Sequence, residues 1–172
     1  MFRNKNDILL TSLQGFFLHN KSFRIKNILP ILYGKSKVSL RVIDWFVTNF
    51  SKQKNTRLKD ENTGRHCIVY LDYKAQLKAF SKKQFDPFCR RNRIKFFYST
   101  SDFIETTIGQ LNFFRWALQR GILDFLENNL AMIEREMNLY YKRKTQIANR
   151  PTKLLKSTVN RHKNVSIILT FE

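Results

Sequence analysis

Leu40, Ile43, Val47 and Phe50 recur at three- and four-residue intervals, with Phe46 at the edge of the same face, and predict a helix over 39–51. Val42 and Trp45 form a second apolar strip, so this helix is expected to be buried on more than one side. Ser36 or Ser39 can cap its start. The pattern then lapses: residues 52–65 are polar and aperiodic, which predicts an exposed loop. A second helix is expected over 69–83, with Tyr70, Tyr73, Leu77 and Phe80 on one face and Lys74, Lys78 and Lys82 in a stripe beside it. Asp86-Pro87 closes that segment, because the residue before a proline avoids helical dihedrals. Residues 94–98 are strand-like but too short to separate from a helical turn.

A third helix is predicted over 107–120, capped by Thr106 or Thr107, with Ile108, Leu111, Phe114 and Leu118 on one face and Phe113, Trp116 and Ala117 on another. Gly121 reads as a break, followed by a short helix over 122–127 and a longer one over 130–148 carrying Leu130, Ile133, Met137 and Tyr140. Near the end, Val165, Ile167, Leu169 and Phe171 alternate at period two and predict a strand, whose partner would be Ile68-Val69, Phe96-Phe97 or another chain. Residues 1–34 read as an irregular basic arm ending at Pro30 and Gly34, and 35–172 as the globular part. The expected fold is mainly α (α+β): a compact helical domain of four to five helices with a small β element, including the C-terminal strand.

Composition sharpens this picture. Within 172 residues, 32 Lys and Arg stand against 13 acids, a net charge of +19, while 42% apolar content supplies a packed core. So large an excess calls for a polyanionic partner. The charge is also segregated, since no acid occurs over 138–171 although Lys142, Arg143, Lys144, Arg150, Lys153, Lys156, Arg161 and Lys163 do. No apolar run approaches the roughly 20 residues of a membrane span, and no secretory signal is expected.

Catalytic patterns are missing. There is no Gly-rich phosphate loop, no His-Glu-x-x-His helix and no Gly-x-Ser-x-Gly elbow. Asp60-Glu61 falls in the polar loop, and Glu134 and Glu136 point different ways around a helix. Cys67 and Cys89 are too few for a disulfide framework, and His66-Cys67 alone makes no zinc site. No enzyme, metal or cofactor is expected.

The cations carry the signal, because each neutralised phosphate releases counterions and steepens salt dependence by about 0.9 log units on duplex DNA. Three sets are candidate nucleic-acid contacts: the Lys74, Lys78 and Lys82 stripe, the Arg90, Arg91 and Arg93 cluster, and the basic end with Lys142, Arg143, Lys144 and Lys156. Phe88, Phe96, Phe97, Tyr98, Tyr140 and Tyr141 lie among them and could stack on unpaired bases, although burial preference favours the core for most aromatics.

Residues 34–50 with Ile43-Asp44-Trp45-Phe46, 73–91 with Phe85-Asp86-Pro87-Phe88-Cys89-Arg90-Arg91, 106–117 with Gly109-Gln110-Leu111-Asn112-Phe113-Phe114, and the tail 165–171 are together similar to a family of small basic proteins of nucleocytoplasmic large DNA viruses, the giant viruses. That resemblance has no catalytic signature and carries over no functional residue. It implies a viral protein of the virion or of virus factories in the host cytoplasm. The function expected is sequence-tolerant binding of viral nucleic acid, DNA or RNA. The alternative is a minor capsid or scaffold protein docking on acidic capsid proteins, with its tail strand adding to a neighbour's sheet and forming an oligomer. An organellar ribosomal protein ranks third.

Overall fold

Leu9, Leu13 and Phe17 stand one helical turn apart. In the computed structural model, which describes residues 4–60 and 64–148, they form the buried stripe of helix α1 (Lys5–His19). The Asn4 side chain accepts the Asn6 N–H at its start. Helix α2 (Lys21–Leu32) buries Ile25, Ile28 and Ile31 in the same core. The irregular arm expected over 1–34 is thus corrected: residues 5–32 are helical and contribute large side chains to the interior. Ser12, Gln14 and His19 lie on the exposed side of α1. Pro30 sits in the last turn of α2, and Gly34, at φ 69°, turns the chain out of it.

The helix predicted over 39–51 forms in three parts. Ser39 Oγ accepts the Val42 N–H at the start of α3 (Leu40–Trp45), and Phe46–Phe50 widen into one π turn in which the Ser51 N–H donates to the Phe46 carbonyl. Phe46, Val47 and Phe50 are all buried in that turn. Helix α4 (Ser51–Lys54) then stops at Asn55, left-handed at φ 47°.

The expected loop 52–65 is corrected as well. Strand β1 (Arg57–Lys59) pairs antiparallel with β2 (His66–Ile68), Leu58 opposite Cys67. Three residues with one apolar side chain leave no alternation to read. Helix α5 (Val69–Gln84) follows directly, and strands β3 (Ile94–Phe97) and β4 (Phe103–Thr106) make a second antiparallel hairpin. Phe96 and Ile104 face inward from it, whereas Lys95, Phe97, Phe103 and Glu105 face solvent.

Helix α6 (Ile108–Gln119) occupies the centre, packed by α1, α5 and α7 and buried almost all round. Phe85, Phe113, Trp116 and Tyr73 meet there with ring centroids 5.3–5.9 Å apart. Gly121, at φ 61°, turns the chain into α7 (Ile122–Ala148). The two helices expected over 122–127 and 130–148 are one, since Asn129 turns its amide back to the Phe125 carbonyl and the helix runs on. Over the described residues the molecule is therefore mainly helical with two small antiparallel hairpins, as the sequence pattern implies. The predicted strand 165–171 lies outside the described residues. Of its suggested partners, Ile68 pairs with Arg57, Val69 begins α5, and Phe96-Phe97 pairs with β4.

Candidate nucleic-acid interface

Helical spacing places Lys74 and Lys78 one turn apart on the exposed side of α5. Ser81 interrupts the helix with φ 59° and ψ 168°, a combination that favours glycine. Lys82 nonetheless returns to the same groove, about 590 Å³ in volume and lined by Lys74, Ala75, Leu77, Lys78 and Lys82. All three stripe lysines are brought together, with no acid in the lining.

The arginine cluster is divided. A buried polar node holds the segment that carries it: Gln110 Nε2 donates to the Pro87 carbonyl (2.8 Å), Asn112 Nδ2 to the Gln84 carbonyl (2.8 Å), and the Asp86 N–H to the Gly109 carbonyl (3.2 Å). A Cβ on Gly109 would meet the Lys83 carbonyl at 3.1 Å, so this close approach of α6 to residues 83–85 calls for glycine. Arg90 then grips Asp86 with two donors, Nε at 3.0 Å and Nη2 at 2.9 Å, and lies over the Phe88 ring. That hydrogen bonding raises the Arg90 pKa, and its charge is largely matched within the molecule. Arg93 only approaches Glu105, at 4.0 Å between two exposed side chains. Arg91 and Lys83 both line a second groove of about 660 Å³, with Asn6, Gln84, Asn92 and Ile94 among its other lining residues and again without an acid.

The stripe and the cluster meet at Asp44. Its carboxyl is held above the usual range chiefly by burial; Arg90 and Lys82 oppose the rise and Asp86 adds to it. Tyr73, beside the same charges, is pushed up to about 12, again chiefly by burial. The third set lies on the exposed last turns of α7. Lys142 lines a groove of about 520 Å³ with Asn138, Tyr141, Thr145 and Gln146, with Arg143 and Lys144 beside it and Arg41 over the Tyr141 ring. Lys156 lies outside the described residues.

Among the aromatics singled out, Phe96 is core, Phe88, Tyr98 and Tyr140 are half-buried, and Phe97 and Tyr141 are exposed. Sequence reasoning missed Lys83, Lys95 and Phe103. Once 94–97 is known to be a strand, the alternation of 103–106 identifies Phe103 as its outward partner. Among the described residues no three His, Cys, Asp or Glu side chains gather to hold a metal, and no helix is long and apolar enough to cross a membrane.

No solved structure matches this chain. A mimivirus protein, "Uncharacterized protein L507" of Acanthamoeba polyphaga mimivirus, is 40% identical over 120 residues, which cover 66% of this chain and 46% of the relative. The chain thus spans about half the length of the curated relative it matches. A family model described as a family of unknown function (DUF7197) matches residues 1–167, including the amino-terminal helices outside the stretch that carried the resemblance. A family match that spans α1 through α7, together with a giant-virus relative, places the chain in a viral family with no assigned activity: it belongs to the DUF7197 family.

Proposed function

We propose that this chain is a non-enzymatic polyanion-binding protein that holds viral nucleic acid through its phosphates, in the virion or in the virus factory. The observation that supports the reading is the pair of acid-free grooves around the end of α5, one lined by Lys74, Lys78 and Lys82 and the other by Lys83 and Arg91. Cations held close together without carboxylates form a local positive field that a phosphate backbone relieves by giving up its condensed counterions. The sequence carries no groove-reading helix motif, and contacts to phosphates carry no base information, so binding is sequence-tolerant. The docking reading, in which the tail strand joins a neighbouring sheet, depends on residues outside those described.

Fluorescence anisotropy on labelled oligonucleotides of unrelated sequence, titrated with salt, tests the proposal. The wild-type chain is expected to bind all of them alike and to lose affinity steeply as salt rises. Lys74→Ala, Lys78→Ala and Lys82→Ala combined should reduce the slope by about 0.9 log units per lost duplex contact. No binding at low salt, or a slope unmoved by the triple variant, overturns it.

A further inference from the structure

Phe97 and Phe103 stand opposite each other across the β3–β4 register, on the face turned away from the core. They are 54% and 38% exposed, with ring centroids 5.3 Å apart. Packing does not require rings there, because Phe96 and Ile104 already fill the inward face of the same hairpin. Lys95 lies over the Phe103 ring, its ammonium 4.9 Å from the centroid, and Arg93 flanks the same face; Glu105 opposes Lys95 in the register. Ile94, the first residue of β3, lines the Lys83/Arg91 groove. Phe97 lies three residues further on, about 10 Å at the rise of a strand and, by the strand's alternation, on its opposite face. One short strand therefore joins an acid-free cationic groove to an exposed aromatic pair.

Bases of an unpaired strand offer free faces to such rings, whereas a duplex keeps its bases stacked inside. We infer that Phe97 and Phe103 are a base-stacking platform and that the preferred polyanion is single-stranded nucleic acid, its phosphates seated in the Lys83/Arg91 groove. This rests on the polyanion reading and narrows it to one class of partner.

The test compares a labelled 20-nucleotide oligo(dT) with a 20-base-pair duplex on the full chain, by anisotropy across a salt series. Wild-type protein should favour the single strand. Phe97→Ala with Phe103→Ala should weaken oligo(dT) binding by about fivefold to a hundredfold for each base released, leaving duplex affinity and both salt slopes in place. Phe97→Leu with Phe103→Leu, which keeps apolar bulk on the hairpin but lacks the π face, should reproduce that loss. Tyr at both positions should restore binding. Unchanged oligo(dT) affinity in the Leu pair, with wild-type salt-dependent binding intact, overturns the platform and leaves the polyanion reading standing. Equal affinity for both probes, with the Leu pair altering only the oligomeric state, makes the rings a protein contact and also overturns it. Absence of any binding by the wild-type chain removes both readings.

Discussion

Burial raises the Asp44 pKa above its ordinary 3.8, and Arg90 and Lys82 do not cancel the effect. The folded chain therefore holds the Asp44 proton more tightly than the unfolded chain does. Its contribution favours folding below pH 3.8 and is lost as pH rises through the elevated folded value, so at neutral pH ionised Asp44 opposes folding. Asp44→Asn is accordingly expected to melt higher than wild type at pH 7, with the gap closing as pH falls towards 3.8. A gap that stays constant with pH, or an Asn variant that melts lower at pH 7, would show that Asp44 is not the source. Asp72 belongs to a different, ion-paired cluster. It accepts from Trp116 Nε1 at 2.8 Å and from Arg120 Nε, and Arg120 also pairs with buried Asp60, tying the first hairpin to α5 and α6. There the charges compensate one another, and removing one would strand the rest.

Helix α5 carries the principal groove and also the least favourable backbone among the described helices, at Ser81. Ser81→Gly is expected to raise stability by about 1 kcal/mol, since glycine adopts this conformation without the side-chain clash. Equilibrium denaturation should show a higher midpoint at unchanged m, and the salt slope of binding should not move because Lys82 keeps its place. A lower midpoint would mean that the serine hydroxyl, which accepts the Lys83 N–H at 3.3 Å, contributes more than the strain removes. Legibility differed among elements for similar local reasons. Helix α6 and the Lys74–Lys78 part of the stripe were open to reading because both keep helical spacing in an unbroken stretch of helix. Helix α1 was not, because its solvent side mixes Ser12, Gln14 and His19 with apolar Ile8 and Leu18, which blurs the periodicity of the buried Leu9, Leu13 and Phe17. Asn128 and Asn129 disguised one long helix as two. The Arg90 latch was visible only as an Asp86–Arg90 spacing of four residues in a segment outside any helix, where spacing alone does not bring side chains together.

At the scale of the whole molecule, the placement of acids matters more than their number. Asp60 and Asp86 are buried and Asp72 is half-buried, held by Arg120 and Arg90, so they do little to screen the exposed lysines from one another. A chain of net charge +19 built this way repels itself when folded. Two thermal trends of opposite sign follow. Without ligand, the melting temperature should rise with added salt as the repulsion is screened. With a polyanion at one hundred times its dissociation constant at low salt, linkage adds about 2.7 kcal/mol of stability. That corresponds to a rise of about 5–10 °C for a chain of this size. Because binding itself weakens with salt, the increment from polyanion should shrink while the ligand-free melting temperature climbs, and the two curves should converge. Differential scanning calorimetry over a salt series, with and without oligonucleotide, measures both at once. Parallel curves would mean that the ligand acts on something other than these cations, and a ligand-free curve that falls with salt would mean that internal ion pairs outweigh the surface repulsion.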